Sequence, residues 1–190
     1  MRTLYFSSIL ILIFALQGCL HRAKPSDNTI RLNGFTASVP PDAGWIRTES
    51  SPNGVTFERA KNGEKTALRF SVDNIEPQPQ DQTFFQLAES RQEQTFASLK
   101  MISLHYTRTN IENAPCLEYD GIFENMAIQA TPFSTIRGLI CRHPDTADLI
   151  LQVELSQLSD SQTTAYTVDL TEAARKVFDA VQFTKSSKVH

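Results

Sequence analysis

Few residues of this 190-residue chain have both the type and the spacing that catalysis or metal binding requires. His143, Asp145 and Asp148 lie close together, but their spacing matches neither a tetrahedral zinc site nor a calcium loop. His105 lies in a predicted strand, and no nucleophile or carboxylate has a recognisable spacing to it. No serine occupies a nucleophile elbow, and no glycine-rich stretch has the pattern of a phosphate loop. We therefore predict no catalytic residue, no metal site and no cofactor.

The composition is that of a globular protein without a nucleic-acid surface. Hydrophobic residues make up 41% of the chain and charged residues 21%, so the chain can bury a core. The formal net charge is -3, and no run of Lys or Arg stands out. Binding to nucleic acid needs clustered positive charge that displaces counterions. We therefore expect no nucleic-acid partner.

The first residues have the composition of a secretory leader. Arg2 gives a positive start, residues 4–15 are mostly apolar, and the small residue Gly18 precedes Cys19. The apolar stretch is shorter than the ~20 residues that a membrane-spanning helix needs. We predict a signal peptide over residues 1–18 and an oxidising compartment for the mature chain.

The stretch Leu16-Gln17-Gly18-Cys19 resembles the lipobox of bacterial lipoproteins. In that family the cysteine receives a lipid, the leader is cut just before it, and the new amino terminus is acylated, commonly with palmitate. The resemblance implies that Cys19 carries a lipid anchor that attaches the chain to the membrane. Leu20, rather than Asp, after the cysteine implies the outer membrane, with the domain facing the periplasm. The alternatives are an ordinary signal peptide that contains a cysteine and an uncleaved anchor.

The mature chain divides into a tether, one domain and a tail. Residues 19–28 are predicted to be a tether, residues 29–184 a single domain, and residues 185–190 a disordered tail. The turns Asn33-Gly34 and Asn62-Gly63 predict two hairpins, and further strands are predicted at 102–109, 116–124, 133–141 and 149–158. Helical spacing occurs at 84–99, where Asp81 could cap the helix, and at 169–181. The predicted fold class is α+β, an antiparallel sheet flanked by helices.

Strand register predicts a disulfide. Cys116 and Cys141 remain as an even pair once the anchor cysteine is lipidated. Their alignment in an antiparallel pair would also match Leu117 with Ile140, Tyr119 with Gly138, and Asp120 with Arg137. The bond would contribute about 3.5 kcal/mol by lowering the entropy of the unfolded chain. The alternative is two reduced thiols buried as small apolar groups.

The order of elements resembles the PsbP-like fold. The resemblance rests on the segment 35–40 running into Gly44-Trp45, on the hairpins and the Phe84 helix that follow, and on a terminal helix and short strand over 173–183. That family includes extrinsic proteins of photosystem II and small bacterial envelope lipoproteins. The resemblance implies an α-β-α sandwich and a binding or assembly role. It implies no shared active site, so no functional residue is carried over.

The loop over residues 125–132 is the candidate recognition surface. Met126 and Ile128 are apolar for an exposed turn, so they either pack back onto the sheet or contact a partner. We predict a non-catalytic lipoprotein of the cell envelope that binds a protein or envelope partner and assists assembly or maintenance. The alternative is an enzyme or small-ligand carrier whose site is assembled from scattered residues. A deep pocket lined by converging polar groups would favour that alternative.

Overall fold

The computed structural model describes residues 28–40, 44–61, 64–126, 132–160 and 168–186. The predicted signal peptide, Cys19, nearly all of the tether, Ile128 and the last four residues lie outside these ranges. Among the described residues, no helix is long and apolar enough to cross a membrane.

The described chain is a mostly antiparallel β protein with two helices. Its elements are β1 (Thr29–Leu32), β2 (Phe35–Ser38), β3 (Ile46–Ser51), β4 (Gly54–Lys61), β5 (Glu64–Asn74), α1 (Asp81–Phe96), β6 (Lys100–Ile111), β7 (Ala114–Glu124), β8 (Phe133–His143), β9 (Thr146–Ser159), α2 (Val168–Phe178) and β10 (Gln182–Phe183). The predicted α+β class is confirmed. The strands form two sheets where one was predicted: a seven-stranded sheet in the order β3-β4-β5-β9-β8-β7-β6, and a three-stranded sheet in the order β1-β2-β10.

Both predicted hairpins are present. The Asn33-Gly34 turn joins β1 to β2, and Gly34 has a φ of 76°, a conformation that glycine adopts without strain. β4 pairs antiparallel with β5, with Phe57 opposite Leu68. In the β1–β2 hairpin the short turn fixes which residues face each other, and in both hairpins the two-residue period determines which side chains are buried.

α1 carries the chain from β5, in the middle of the large sheet, to β6 at its edge. Its apolar side chains Phe84, Ala88 and Phe96 cluster with Leu117 and Tyr119 of β7. The contact holds the helix against one face of the sheet.

The prediction that Asp81 caps this helix is wrong. Gln80 holds the N-cap position without a side-chain hydrogen bond, and Asp81 is the first helical residue. Its carboxylate lies 2.6 Å from the guanidinium of Arg142 on β8. A charge-assisted contact with a distant strand therefore replaces the local cap.

α2 belongs to a second and larger cluster. Its residues Leu170, Ala174 and Val177 are buried in the same cluster as Cys116 of β7 and Phe35 of the small sheet. Successive residues of a strand point to opposite faces, and along β7 Cys116 and Leu117 belong to different clusters. The small sheet and α2 thus share one core, and α1 belongs to the other.

Candidate functional site

The cysteines have the register that the sequence predicts. Cys116 lies directly opposite Cys141 and forms a disulfide with it, and both residues are fully buried. The three further predicted pairs are also present, and an Nη1 atom of Arg137 lies 3.8 Å from Oδ1 of Asp120. Because both sulfurs are buried, the bond ties β7 to β8 and offers no reactive thiol.

Tyr119 of β7 reaches across β8 to a glutamate on β9. Its ring covers Gly138, where an added Cβ would lie 2.0 Å from Cζ of the ring. The Tyr119 hydroxyl donates to Oε2 of Glu154 at 2.8 Å, and Nε2 of Gln152 donates to the hydroxyl at 3.0 Å. Only a residue without a side chain leaves room for this arrangement.

Burial raises the pKa of both Tyr119 and Glu154 above their usual values. The hydrogen bond from Tyr119 and the charge of Arg69, which lies opposite on β5, lower the pKa of Glu154 in part. A carboxyl group with a raised pKa beside a phenol is a pair that acid–base catalysis uses. Tyr119 is only 3% exposed, however, and its hydroxyl already bonds both neighbours. We interpret the pair as a clamp between β7 and β9.

His143 is a buried structural residue. Its ring lies edge-on to the rings of Phe35 and Phe183. The backbone N–H of Asp145 donates to Nδ1 at 3.1 Å, so Nε2 carries the proton and donates to the carbonyl oxygen of Thr184 at 2.8 Å. Both ring nitrogens are therefore used within the fold.

The other candidate polar residues do not assemble into a site. His105 is exposed on the edge strand β6, opposite Asp120. Among the residues that the structure describes, no group of three or more His, Cys, Asp and Glu side chains could hold a metal ion.

Four large apolar side chains are exposed in the described part of the chain, and all four lie at one end of the large sheet. Met126, which follows β7, is 73% exposed, and Met101, near the start of β6, is 49% exposed. Ile46 begins β3 with 68% exposure, and Leu158 lies near the end of β9 with 39% exposure. Antiparallel pairing puts all of these strand ends at the same end of the sheet, with Ile46 on one edge strand and Met101 on the other. We call these four residues the apolar end.

A pocket of about 420 Å³ opens at the β3 side of the apolar end. Ile46, Ala60, Ala67 and Leu158 supply most of its apolar wall, and charged residues, Lys65 among them, also line it. Its surface is mainly apolar. The pocket therefore suits an apolar group better than a polar substrate.

Of the apolar end, sequence reasoning identified only Met126. Ile46, Met101 and Leu158 lie in strands, where an apolar side chain normally indicates burial. Their exposure follows from their places at the edges and ends of the sheet, which no single segment reveals. Trp45 packs partly buried against the larger cluster, with the Arg59 guanidinium 4.7 Å from its ring.

No protein-family model and no curated protein matches the chain. Among solved structures, the chain is similar to LpqN of Mycobacterium tuberculosis, described as involved in cell envelope biogenesis, with 12% identity and a TM-score of 0.52. The match covers 82% of this chain and 89% of LpqN. At this identity the likeness shows the fold alone.

Two further structures match less closely. A protein of unknown function from Pseudomonas aeruginosa, PA94, has 14% identity and a TM-score of 0.45 over 78% of this chain and 94% of its own. A protein from Bacteroides thetaiotaomicron has 13% identity and a TM-score of 0.47 over 80% of this chain. This chain spans only 45% of the Bacteroides protein. Neither match carries a functional argument.

Proposed function

We propose that the chain is a non-catalytic lipoprotein of the cell envelope that binds a partner there and assists assembly or maintenance of the envelope. The observation that carries the proposal is the apolar end. Scattered apolar residues are normal on a protein surface, but here all four large exposed ones of the described chain share one end of one sheet. A sheet end that exposes apolar side chains in this way is typical of a surface that another molecule covers.

The partner contact is formed by Met126 and Met101. These side chains lie at the ends of neighbouring strands, since Met101 pairs with Phe123 and Met126 follows three residues later. Methionine is unbranched and adapts its shape to a partner, so it is common at binding surfaces. Ile128, the other predicted contact residue, belongs to the same loop but lies outside the described residues.

The anchor is the lipid on Cys19, which we propose from the resemblance to the lipobox, with the outer membrane as the location. Several acyl chains hold a protein at a bilayer permanently. Because a short tether keeps the domain near that surface, membrane-bound partners meet it at a high effective concentration, and a modest interface is sufficient.

The fold is compatible with an envelope role. LpqN, which has a similar fold, is described as involved in cell envelope biogenesis. The PsbP-like α-β-α arrangement, which the sequence resemblance implies, is supported by the way α1 and α2 contribute to different clusters. A small-ligand carrier is the second candidate, favoured by the pocket beside Ile46. The mainly apolar lining of that pocket argues against an enzyme site for a polar substrate.

The test compares two aspartate substitutions in the tagged, lipidated protein. Met126→Asp should leave the urea unfolding midpoint unchanged, because the side chain is 73% exposed. If a partner buries the methionine, the substitution removes about 1.5–3 kcal/mol of binding, or roughly a tenfold to hundredfold loss of affinity. The matched control is Thr107→Asp, at an exposed position of β6 away from this end.

Proteins that co-purify from detergent-solubilised envelopes are quantified for both variants, together with rescue of a deletion strain. We expect the Met126→Asp variant to lose one set of co-purifying proteins and to fail to rescue the deletion strain. The Thr107→Asp variant should retain those proteins and rescue the strain. It would be overturned if both variants retained the same proteins and both rescued the strain.

A further inference from the structure

The chain leaves the domain toward its amino terminus beside β3. The backbone N–H of Val39 donates to the carbonyl oxygen of Asn28 at 2.9 Å, which places Asn28 at the open end of the β1–β2 hairpin. Residues Thr29–Leu32 line one shallow pocket of about 280 Å³ together with Arg47, Ser50 and Ser51, so β1 runs next to β3 along most of that strand. The exit of the tether is therefore close to the strand that Ile46 begins.

The tether is short. Asn28 follows Cys19 by nine positions, and a fully extended chain over nine residue steps spans at most about 30 Å. A lipid on Cys19 would hold the exit, and with it the β3 side of the domain, within that distance of the bilayer. The part of the apolar end nearest the exit is the pocket formed by Ile46, Ala60, Ala67 and Leu158, which we call the Ile46 corner.

The charges around the Ile46 corner match a zwitterionic surface. Lys65, Glu58 and Arg59 line the pocket; Lys65 and Glu58 lie on adjacent strands and on the same face of the sheet, whereas the buried guanidinium of Arg59 lies 4.7 Å from the Trp45 ring. Within the described part of the chain, neither Lys65 nor Glu58 forms an ion pair. An ammonium and a carboxylate beside an apolar pocket complement the phosphate and ammonium of a zwitterionic phospholipid, while the apolar wall accepts its acyl region.

We propose that the Ile46 corner docks onto the bilayer that holds the lipid anchor, with Ile46 and Leu158 in the boundary between headgroups and acyl chains. This inference rests on the anchored lipoprotein of the proposed function. It adds an orientation: the β3 side of the sheet lies on the membrane, and the lipid anchor and the protein surface act together as two membrane contacts. Docking on a neutral headgroup surface should depend little on salt, because the two charges are of opposite sign.

The experiment places a fluorophore at Ile46 of the full lipidated chain. Ile46→Cys introduces one reactive thiol, since Cys116 and Cys141 form a buried disulfide and Cys19 would be blocked by lipid. The labelled protein is reconstituted into protein-free vesicles made mostly of phosphatidylethanolamine, with a minority of phosphatidylglycerol. Quenching by a nitroxide attached to the lipid acyl chains is then compared with quenching by a water-soluble quencher.

The matched control is Asn53→Cys, at the exposed turn at the other end of the β3–β4 hairpin. The inference expects several-fold stronger quenching by the lipid nitroxide at position 46 than at position 53. Adding Leu158→Asp should remove that difference, whereas adding Met126→Asp should preserve it. A label at Leu158→Cys provides a second measurement should the label at position 46 disturb the strand.

Each remaining outcome decides a different claim. Protein that floats with the vesicles but shows equal quenching at positions 46 and 53 overturns the docking and leaves the anchor standing. Protein that does not float overturns the anchor, and the docking with it. Shielding of the label in native envelope vesicles but not in protein-free vesicles means that a partner protein covers the corner, which also overturns docking on lipid.

Discussion

Gly138→Ala tests whether the sheet depends on the crossing of Tyr119 over β8. In the native arrangement, an added Cβ would lie 2.0 Å from Cζ, 2.3 Å from the hydroxyl oxygen and 2.4 Å from Cε1 of the tyrosine. Side-chain carbons do not approach so closely, so the ring has to leave its place. When it moves, the hydroxyl loses its hydrogen bonds with Glu154 at 2.8 Å and Gln152 at 3.0 Å.

The expected cost has two parts. Forcing a bulky side chain out of a packed position costs typically 1–3 kcal/mol. Removing a hydrogen bond to a charged or partly buried carboxylate costs roughly a further 1.5–3 kcal/mol. We therefore expect Gly138→Ala to lower the free energy of unfolding by about 2.5–6 kcal/mol, a large share of the 5–15 kcal/mol that is typical of a domain.

The assay is urea unfolding followed by the fluorescence of Trp45, which is the single tryptophan of the chain. The control is the same glycine substitution in a Tyr119→Ala background. Without the ring, alanine at position 138 meets no obstacle, and it should stabilise the strand by roughly 0.5–1 kcal/mol relative to glycine. We thus expect Gly138→Ala to lower the free energy of unfolding in the wild-type background and to raise it in the Tyr119→Ala background.

A loss under about 1 kcal/mol in the wild-type background would refute the argument, because a strained ring that relaxes so cheaply cannot hold β7 to β9. An equal loss of unfolding free energy in both backgrounds would also refute it. That result would mean that position 138 requires glycine for its backbone and not for the tyrosine.

Three further predictions concern the pH dependence, the disulfide and the histidines. Burial raises the pKa of Glu154 in the folded state. The protonated carboxyl group therefore contributes in full to the free energy of unfolding below the ordinary pKa of 4.5, and this contribution is lost as the pH rises through the raised pKa. Glu154→Gln, which cannot ionise, should therefore have an increasing advantage in urea midpoint over the wild type as the pH rises above 4.5; a constant difference would contradict this. Reduction of the Cys116–Cys141 bond, which spans 25 residues, should cost about 3.5 kcal/mol in the same assay, and free thiols found in exported protein by peptide mapping would refute the bond. His143→Ala should cost about 2–4 kcal/mol because its ring is buried and doubly hydrogen-bonded, whereas His105→Ala should cost almost nothing. Neither substitution should change partner binding per folded molecule, and a folded His105 variant that lost all function would point to catalysis.

Local features of the fold were predictable from the sequence. Asn33-Gly34 and Asn62-Gly63 mark tight turns, and the alternation of apolar residues on each side leaves one register in which the strands share a buried face. The pairing of Cys116 with Cys141 is predictable for the same reason, because several cross-strand pairs agree with it and a slip by one residue breaks them all. These contacts lie within short stretches of chain.

Contacts between distant segments were not predictable in the same way. Asp81 looks like a helix cap until Arg142, 61 residues away, is brought beside it. The Tyr119–Gly138 pair follows from the hairpin, but the approach of Glu154 requires β9 to lie between β8 and β5. Non-local pairing of this kind depends on the summed burial of the whole sheet and leaves no mark in a single segment.

The contacts that stabilise the fold and the residues proposed to bind a partner lie at opposite ends of the large sheet. The disulfide, the buried His143 and the Arg142–Asp81 ion pair at 2.6 Å all lie at the end away from Met126. At the apolar end, both edge strands have irregular pairing, between Arg47 and Glu49 on β3 and between Met101 and Ser103 on β6. Irregular edges resist the addition of a foreign strand. We therefore expect a partner or a membrane at this end to contact mainly side chains, and substitutions there to change binding while the distant contacts keep the domain folded.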